Sequence, residues 1–355
     1  MSSAGTIRRV RSVHRPLTPR MLLFRIVAAV VLLVLIMFLC SLVGPQDISL
    51  KAAMSRPANP AIANPSHQIL VSVRIPRVLL AAMVGAALAA SGVTFQALLR
   101  NPLADPYILG ISSGAGLGAM LAIISGFSWT LWGRSPIAVF AFGGALGTVW
   151  LVWAIGRLTG KYHTTGLLLA GVVVNAFFSA LILFLVSIAK SQELQATMFW
   201  LMGNMIEEDF LVLWVGGGCI TAGIVALFFL SPQLNIISIG RQDARSIGVS
   251  VERTELAAFA VSAFITAIAV SMSGLIGFVG LIIPHAVRLV LGPDHRQLLP
   301  VSSLMGAVFL VVADTVARVI VAPAQLPVGV VTAMIGGPFF LILLIRYSRK
   351  VYWPT

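Results

Sequence analysis

Charge is scarce in this chain of 355 residues: only 10% of them are Asp, Glu, Lys or Arg, and Asp and Glu together number 11. Soluble domains carry about a quarter charged residues, so the composition excludes an ordinary soluble protein. The two cysteines, Cys40 and Cys219, both lie in apolar runs, which argues against a disulfide or a cysteine metal site. The sequence contains neither a G-x-x-x-x-G-K-[ST] phosphate loop nor an H-E-x-x-H zinc motif.

Long apolar runs fill most of the sequence instead. Hydrophobic residues make up 59% of the chain, and many runs reach about 20 residues, enough to cross a bilayer core. We therefore predict an all-α polytopic membrane protein. The ten predicted spans are 21–43, 77–99, 107–126, 136–156, 164–188, 210–231, 254–273, 274–291, 299–321 and 328–346.

Basic residues between the spans predict the topology. We expect a basic cytoplasmic tail at 1–20, a single transmembrane domain at 21–346 and a cytoplasmic tail at 347–355. With ten spans, most of the 24 basic residues fall on the cytoplasmic side, as the positive-inside rule requires. The net charge of +13 then reflects span flanks rather than nucleic-acid binding. The weakest boundary is 273–275, since merging the seventh and eighth spans would put the C-terminus outside.

Three stretches are long and ordered enough to compare with known proteins. Residues 74–115 contain R-I-P-R and N-P-L-A-D-P, residues 244–249 read A-R-S-I-G-V, and residues 277–332 contain G-F-V-G-L-I-I-P-H, D-H-R and L-P-V-G-V-V-T. Together they resemble the FecCD family of ABC importer permeases, which serves iron siderophores, haem and vitamin B12. The resemblance extends over about 70–346.

The resemblance implies a type II ABC importer permease in a prokaryotic cytoplasmic membrane, surrounded by lipid. It implies a homodimer or a pair with a paralogous permease, two ABC ATPase subunits inside, and a substrate-binding protein outside. The chain itself would be no enzyme and would bind no cofactor directly, because ATP and Mg would be used by the ATPase. An iron–siderophore complex is the first cargo expected, with vitamin B12 and haem as alternatives.

Three arginines are candidates for docking the binding protein. Arg74 and Arg77 precede the second span and Arg318 lies at the end of the ninth, so the predicted topology puts all three near the outer face. In the family, residues at matching places contact acidic residues of the binding protein. The alternative is that these side chains snorkel to the membrane interface.

A segment at 232–253 is the candidate for ATPase coupling. A short helix ended by glycine, with mixed charge around it, suits a groove on a partner. The resemblance places the ATPase-coupling helices here, whereas an ordinary charged loop is the alternative. The predicted coupling residues are Asp243, Ala244, Arg245, Ile247 and Gly248.

The resemblance also suggests a cytoplasmic gate at the inner mouth of the pathway. Small hydroxyls and one apolar side chain can close a pore by packing and dewetting. The candidates are Asn101, Leu103, Thr164 and Thr165. An Asn-Pro turn and a helix N-cap are the alternatives at these positions.

Asp314 is the one acid well inside a predicted span. A proton or ion relay is conceivable, but we favour a structural pair with Arg318, which lies one helical turn later. His285, His295 and His67 lack partners at metal-ligand spacing, so no metal site is predicted.

Two other classes of protein compete with the permease. An ion-coupled secondary transporter would show several intramembrane charges and inverted repeats. An intramembrane enzyme would need a nucleophile–base pair or a set of metal ligands inside the spans.

Overall fold

A computed structural model describes residues 17–46, 48, 64–127, 135–158, 164–205 and 210–352. Seven helices in it are long and apolar enough to cross a membrane, and three shorter apolar helices join them. Together they match the ten predicted spans one for one, which confirms the predicted architecture. In chain order, helices α1 to α12 are Pro19–Leu42, Pro65–Leu98, Ile111–Ser125, Pro136–Leu158, Thr164–Ile188, Ser191–Leu201, Phe210–Ile239, Arg241–Ser246, Val251–Ser273, Val279–Leu291, His295–Val319 and Val328–Tyr352.

The uncertain boundary at 273–275 is a real break between two helices. Helix α9 ends at Ser273, and Gly274 has a φ of 68°, a conformation that disfavours residues with a Cβ. A Cβ at Gly274 would also collide with the backbone carbonyl of Trp200. The chain resumes as a helix at Val279, directly after Phe278, whose φ is 70°. The seventh and eighth spans are therefore separate.

Helices extend well beyond the predicted spans in three places. Helix α2 begins at Pro65, although its span was predicted to begin at 77. Helix α7 continues past Pro232 to Ile239, although its span was predicted to end at 231. Helix α6 occupies part of the predicted loop 189–209. Glu193 accepts a hydrogen bond of 2.9 Å from the backbone N–H of Lys190, which supports the first turn of α6 where the hydropathy signal is weak.

Helix α2 forms the centre of the bundle. It is buried along most of its length, whereas α1 keeps most of its apolar surface exposed, as a lipid-facing helix would. Glycine lets the backbones come close: a Cβ at Gly85 would collide with the carbonyl of Gly306 in α11, and one at Gly92 with that of Gly280 in α10. Small residues at such crossings are typical of membrane helix packing.

Contacts between helix ends define two ends of the bundle. At one, here called the arginine end, Arg77 near the start of α2 meets Asp314 near the end of α11. At the other, called the α8 end, the Arg100 side chain after α2 donates to the Ile237 carbonyl of α7, 2.9 Å away. The short helix α8 follows α7 at this second end.

Candidate functional site

The arginine end contains a buried ion cluster. Asp314 is 0% exposed, and Nε of Arg77 donates to both of its carboxylate oxygens at 3.0 and 3.3 Å. Nε of Arg318 lies 3.0 Å from Oδ2 of the same carboxylate, which confirms the predicted pairing one helical turn apart. Arg77 also donates to Gln325 Oε1 at 2.9 Å, and Arg318 donates to Thr315 Oγ1 at 3.0 Å. Two guanidinium groups thus share one carboxylate and leave an excess of positive charge.

Arg74 lies three positions before Arg77 in α2 and joins α1 to α2. Its guanidinium donates to the carbonyl of Leu42 at 2.7 Å and to that of Gln46 in the segment after α1. Its side chain, like those of Arg77 and Arg318, is buried. All three arginines therefore point into the protein and have partners within it, so interfacial snorkelling does not describe them. Docking by these residues stays a prediction.

The α8 end has the short helix that the coupling hypothesis requires. Helix α8 is followed by Gly248, whose φ of 87° matches the predicted glycine stop. Ala244 is fully buried and packs with Ile237 and Val251, which fixes α8 against the ends of α7 and α9. Ile247, by contrast, is 65% exposed, an apolar side chain left open beside the helix.

Ion pairs join α8 to the first turns of α9. Nε of Arg241 donates to Glu255 Oε1 at 2.7 Å, and this hydrogen bond raises the pKa of Arg241 above its usual value. Arg245 and Glu252 form a second, more exposed pair. Asp243 is exposed, and a Cβ at Gly240 would collide with its carboxylate. Helix α8 is therefore a small charged surface held rigidly to two long helices.

The described contacts do not test whether the four predicted gate residues come together. Asn101 Oδ1 accepts from the backbone N–H of Leu103 at 2.9 Å, which is the Asn-Pro turn given as the alternative. Thr164 and Thr165 begin α5, but their side chains lie outside the described part of the structure. The gate stays a prediction. In the same loop, burial raises the pKa of Asp105 to about 6, although the backbone N–H of Tyr107 donates to its carboxylate.

Structural roles, rather than metal binding, fit the surroundings of His295, His67 and His285. His295 is buried, and its Nδ1 lies 2.7 Å from Asn235 Oδ1. The backbone N–H of His67 donates to Asn64 Oδ1 at 3.2 Å, and His285 is partly exposed in the middle of α10. Within the described ranges, no three His, Cys, Asp or Glu side chains gather closely enough to hold a metal ion.

One short motif resembles that of a hydrolase. Gly110, Ser112 and Gly114 have the G-x-S-x-G spacing of a nucleophile turn, which needs a strand before it and a helix after it. Here a 3₁₀ turn at Pro106–Leu109 precedes Gly110 instead. A Cβ at Gly114 would collide with Thr148 Oγ1, so this glycine serves close helix packing.

Asn235 and Arg100 are site residues that the sequence did not indicate. Both bond across helix ends near α8, and neither belongs to a motif with a chemical meaning of its own. Only the three-dimensional arrangement shows what they join.

Comparison with known proteins gives one family over most of the chain. The model of the FecCD transport family matches residues 32–346. The cobalamin import system permease protein of Halobacterium salinarum is 44% identical over 296 residues, covering 83% of this chain and 78% of the relative. The hemin transport system permease protein of Yersinia pestis is 38% identical over 321 residues, covering 90% and 95%. A solved structure described as an inward-facing conformation of a metal-chelate type ABC transporter has a TM-score of 0.79 and 32% identity, covering 93% of this chain and all of that one.

Proposed function

The chain belongs to the FecCD transport family, and from this premise we propose that it is the membrane-spanning permease subunit of an ATP-driven importer. The observation that carries the proposal is the family match over the same residues that fold into the ten predicted spans. Because the sequence contains no phosphate loop, the proposal assigns ATP hydrolysis to a separate ABC ATPase subunit.

The proposed cargo is a metal chelate, with an iron–siderophore complex first and cobalamin or haem as alternatives. The relatives named above import cobalamin and hemin, and the solved structure is of the metal-chelate type. Cobalamin, hemin and iron–siderophore complexes are all large metal chelates, so the same kind of transport pathway suits each of them. Fold alone does not select among them.

We place the ATPase subunits at the α8 end, which we assign to the cytoplasm. Charge supports this side: the tail before α1 and the segments around α8 are basic, as the positive-inside rule expects of cytoplasmic segments. Helix α8 offers exposed charge and the exposed side chain of Ile247, while Ala244 anchors it. A second copy of this chain, or a paralogous permease, would complete the transporter.

The binding protein would then dock at the arginine end, outside the cell. The excess positive charge of Arg77, Arg318 and Arg74 over Asp314 favours an acidic partner surface. Because these guanidinium groups are buried, they would attract the binding protein through their electric field rather than by direct contact, unless docking rearranges them.

The competing reading is an ion-coupled transporter that uses an intramembrane carboxylate. Asp314 is already paired with Arg77 and Arg318, which gives it a structural role. The described contacts thus favour the permease.

The proposal is tested by measuring ATP hydrolysis and complex formation. The purified chain should hydrolyse no ATP, and it should copurify with an ABC ATPase encoded beside it. Deleting 244–248 should abolish copurification while the chain stays inserted in the membrane. Robust ATP turnover by the isolated chain, or normal assembly of the deletion variant, would contradict the proposal.

A further inference from the structure

We infer that Asn235 is a positioning residue that transmits movement of α8 to helix α11. This rests on the proposed function, since the movement would come from an ATPase bound at α8. Asn235 lies one turn before the end of α7, and only Gly240 separates that end from α8. A displacement of α8 would therefore reach the last turn of α7 directly.

The side chain of Asn235 makes three hydrogen bonds to the start of α11. Its Oδ1 accepts from the backbone N–H of His295 at 2.8 Å and from His295 Nδ1 at 2.7 Å. Its Nδ2 donates to Asp294 Oδ1 at 2.8 Å. The oxygen faces two donors and the nitrogen faces a carboxylate, so these partners define the orientation of the amide.

Asp294, which accepts a hydrogen bond from Asn235, is also the N-cap residue of α11. Its carboxylate caps α11 by accepting from the backbone N–H of Arg296 at 3.0 Å, and it pairs with the Arg296 side chain at 2.7 Å. The hydrogen bond from Asn235 is therefore made to the residue that caps α11. Because His295 is buried, water has little access to replace the lost bonds if the amide is removed.

Helix α11 leads from this contact to the opposite end of the bundle. It runs as one helix through His295–Val319, with Pro300 in its second turn, and its far end carries Asp314 and Arg318 of the ion cluster. Along the way it packs closely on α2, as the contact between Gly85 and Gly306 shows. A close-packed helix moves as a unit, so a shift at its start would reach the arginine end.

Asn235→Ala removes the link, and Ser238→Ala is the matched control. Ser238 is exposed on the same turn of α7, and its hydroxyl donates only to a carbonyl of its own helix at 2.7 Å. A second control is Arg296→Ala, which removes the side-chain pair with Asp294 but leaves the hydrogen bonds of Asn235 and the backbone cap in place. Asn235→Asp keeps an acceptor for His295 but sets two carboxylates against each other.

The experiment measures movement at the arginine end in the assembled complex with its ATPase subunits. Spin labels replace the exposed Leu183 of α5 and Ile320 after α11, in a background with Cys40→Ala and Cys219→Ser. The distance between the labels is measured by pulsed electron resonance with and without ATP and vanadate, alongside the ATPase rate.

We expect a nucleotide-dependent shift in the wild type and in Ser238→Ala. In Asn235→Ala the nucleotide-dependent change in the ratio of the two distance populations should fall about fivefold or more, the lower end of typical couplings between sites, while ATP hydrolysis continues. Asn235→Asp should lose the shift, whereas Arg296→Ala should keep it although it weakens the same end of α11, which separates loss of the link from mere destabilisation. A full shift in Asn235→Ala, no shift in the wild type, or a lost shift in Arg296→Ala would overturn the inference. Failure of the ATPase to bind the wild-type chain would instead refute the proposed function.

Discussion

Replacing Asp314 by asparagine should destabilise the protein strongly, although the change is nearly isosteric. The carboxylate is fully buried and lies 3.0 Å from Nε of both Arg77 and Arg318. Asp314→Asn would leave two buried guanidinium groups facing each other without a counter-charge. Removing one partner of a buried ion pair costs about 3–5 kcal/mol, because the remaining charge stays desolvated.

The geometry of the ion cluster also predicts the order of stability loss among further variants. Arg318→Met should cost less than Asp314→Asn, since Arg77 still neutralises the carboxylate. Replacing all three groups by apolar residues of similar volume should be close to neutral, because no buried charge remains. Glu193→Gln is the surface control: the Lys190 side chain is 87% exposed and 3.8 Å away, and such pairs contribute about 0.2–1 kcal/mol.

The free energy of unfolding is measured by SDS titration of the purified protein in mixed micelles, followed by circular dichroism. We expect Asp314→Asn to lose several times as much unfolding free energy as Glu193→Gln. Equal losses for the two variants, both below about 1 kcal/mol, would show that water reaches the cluster and would refute the argument.

Three further predictions concern packing, the partner surface and pH. Gly92→Ala should lower the unfolding free energy by about 1–3 kcal/mol through collision with a carbonyl of α10, whereas Gly143→Ala, with open space at its Cβ, should not; equal midpoints in thermal unfolding would contradict this. Ile247→Glu should weaken ATPase binding about tenfold in a surface-immobilised binding assay, while Ile320→Glu, also 65% exposed but at the other end, should leave it unchanged. Burial raises the pKa of Asp105 from the ordinary carboxyl value of 3.8 to about 6, so wild-type stability falls as pH rises from about 4 to 6, whereas Asp105→Asn has no proton to lose. The stability of Asp105→Asn relative to wild type in thermal unfolding should therefore rise between about pH 4 and 6 and be constant above about pH 7, and a difference independent of pH would refute it.

The sequence predicted the membrane spans well because hydropathy follows directly from the absence of water in a bilayer. The prediction of helices from the sequence failed where features other than hydropathy decide whether a helix forms. Helix α7 passes Pro232, since a proline in a long helix removes one hydrogen bond without ending the packing around it. Helix α6 is too polar to be recognised as a span, and its capping by Glu193 has no hydropathy signal.

The site residues show the same division. The pair of Asp314 with Arg318 could be predicted because positions four apart share a helix face. The third member, Arg77, comes from a helix more than two hundred positions earlier in the chain, and nothing in its local sequence indicates burial. Asn235 is a single polar residue at a helix end, so its role depends wholly on where α11 begins.

Uptake by reconstituted proteoliposomes tests directly whether the chain is the permease subunit of an ATP-driven importer. The chain is assembled with its ATPase and binding protein, and labelled cobalamin, hemin and ferrichrome are offered separately outside, with ATP enclosed within. We expect one metal chelate to accumulate, and its accumulation to require both hydrolysable ATP and the binding protein and to be insensitive to collapse of the ion gradients. Accumulation driven by a proton or sodium gradient without ATP would contradict this expectation.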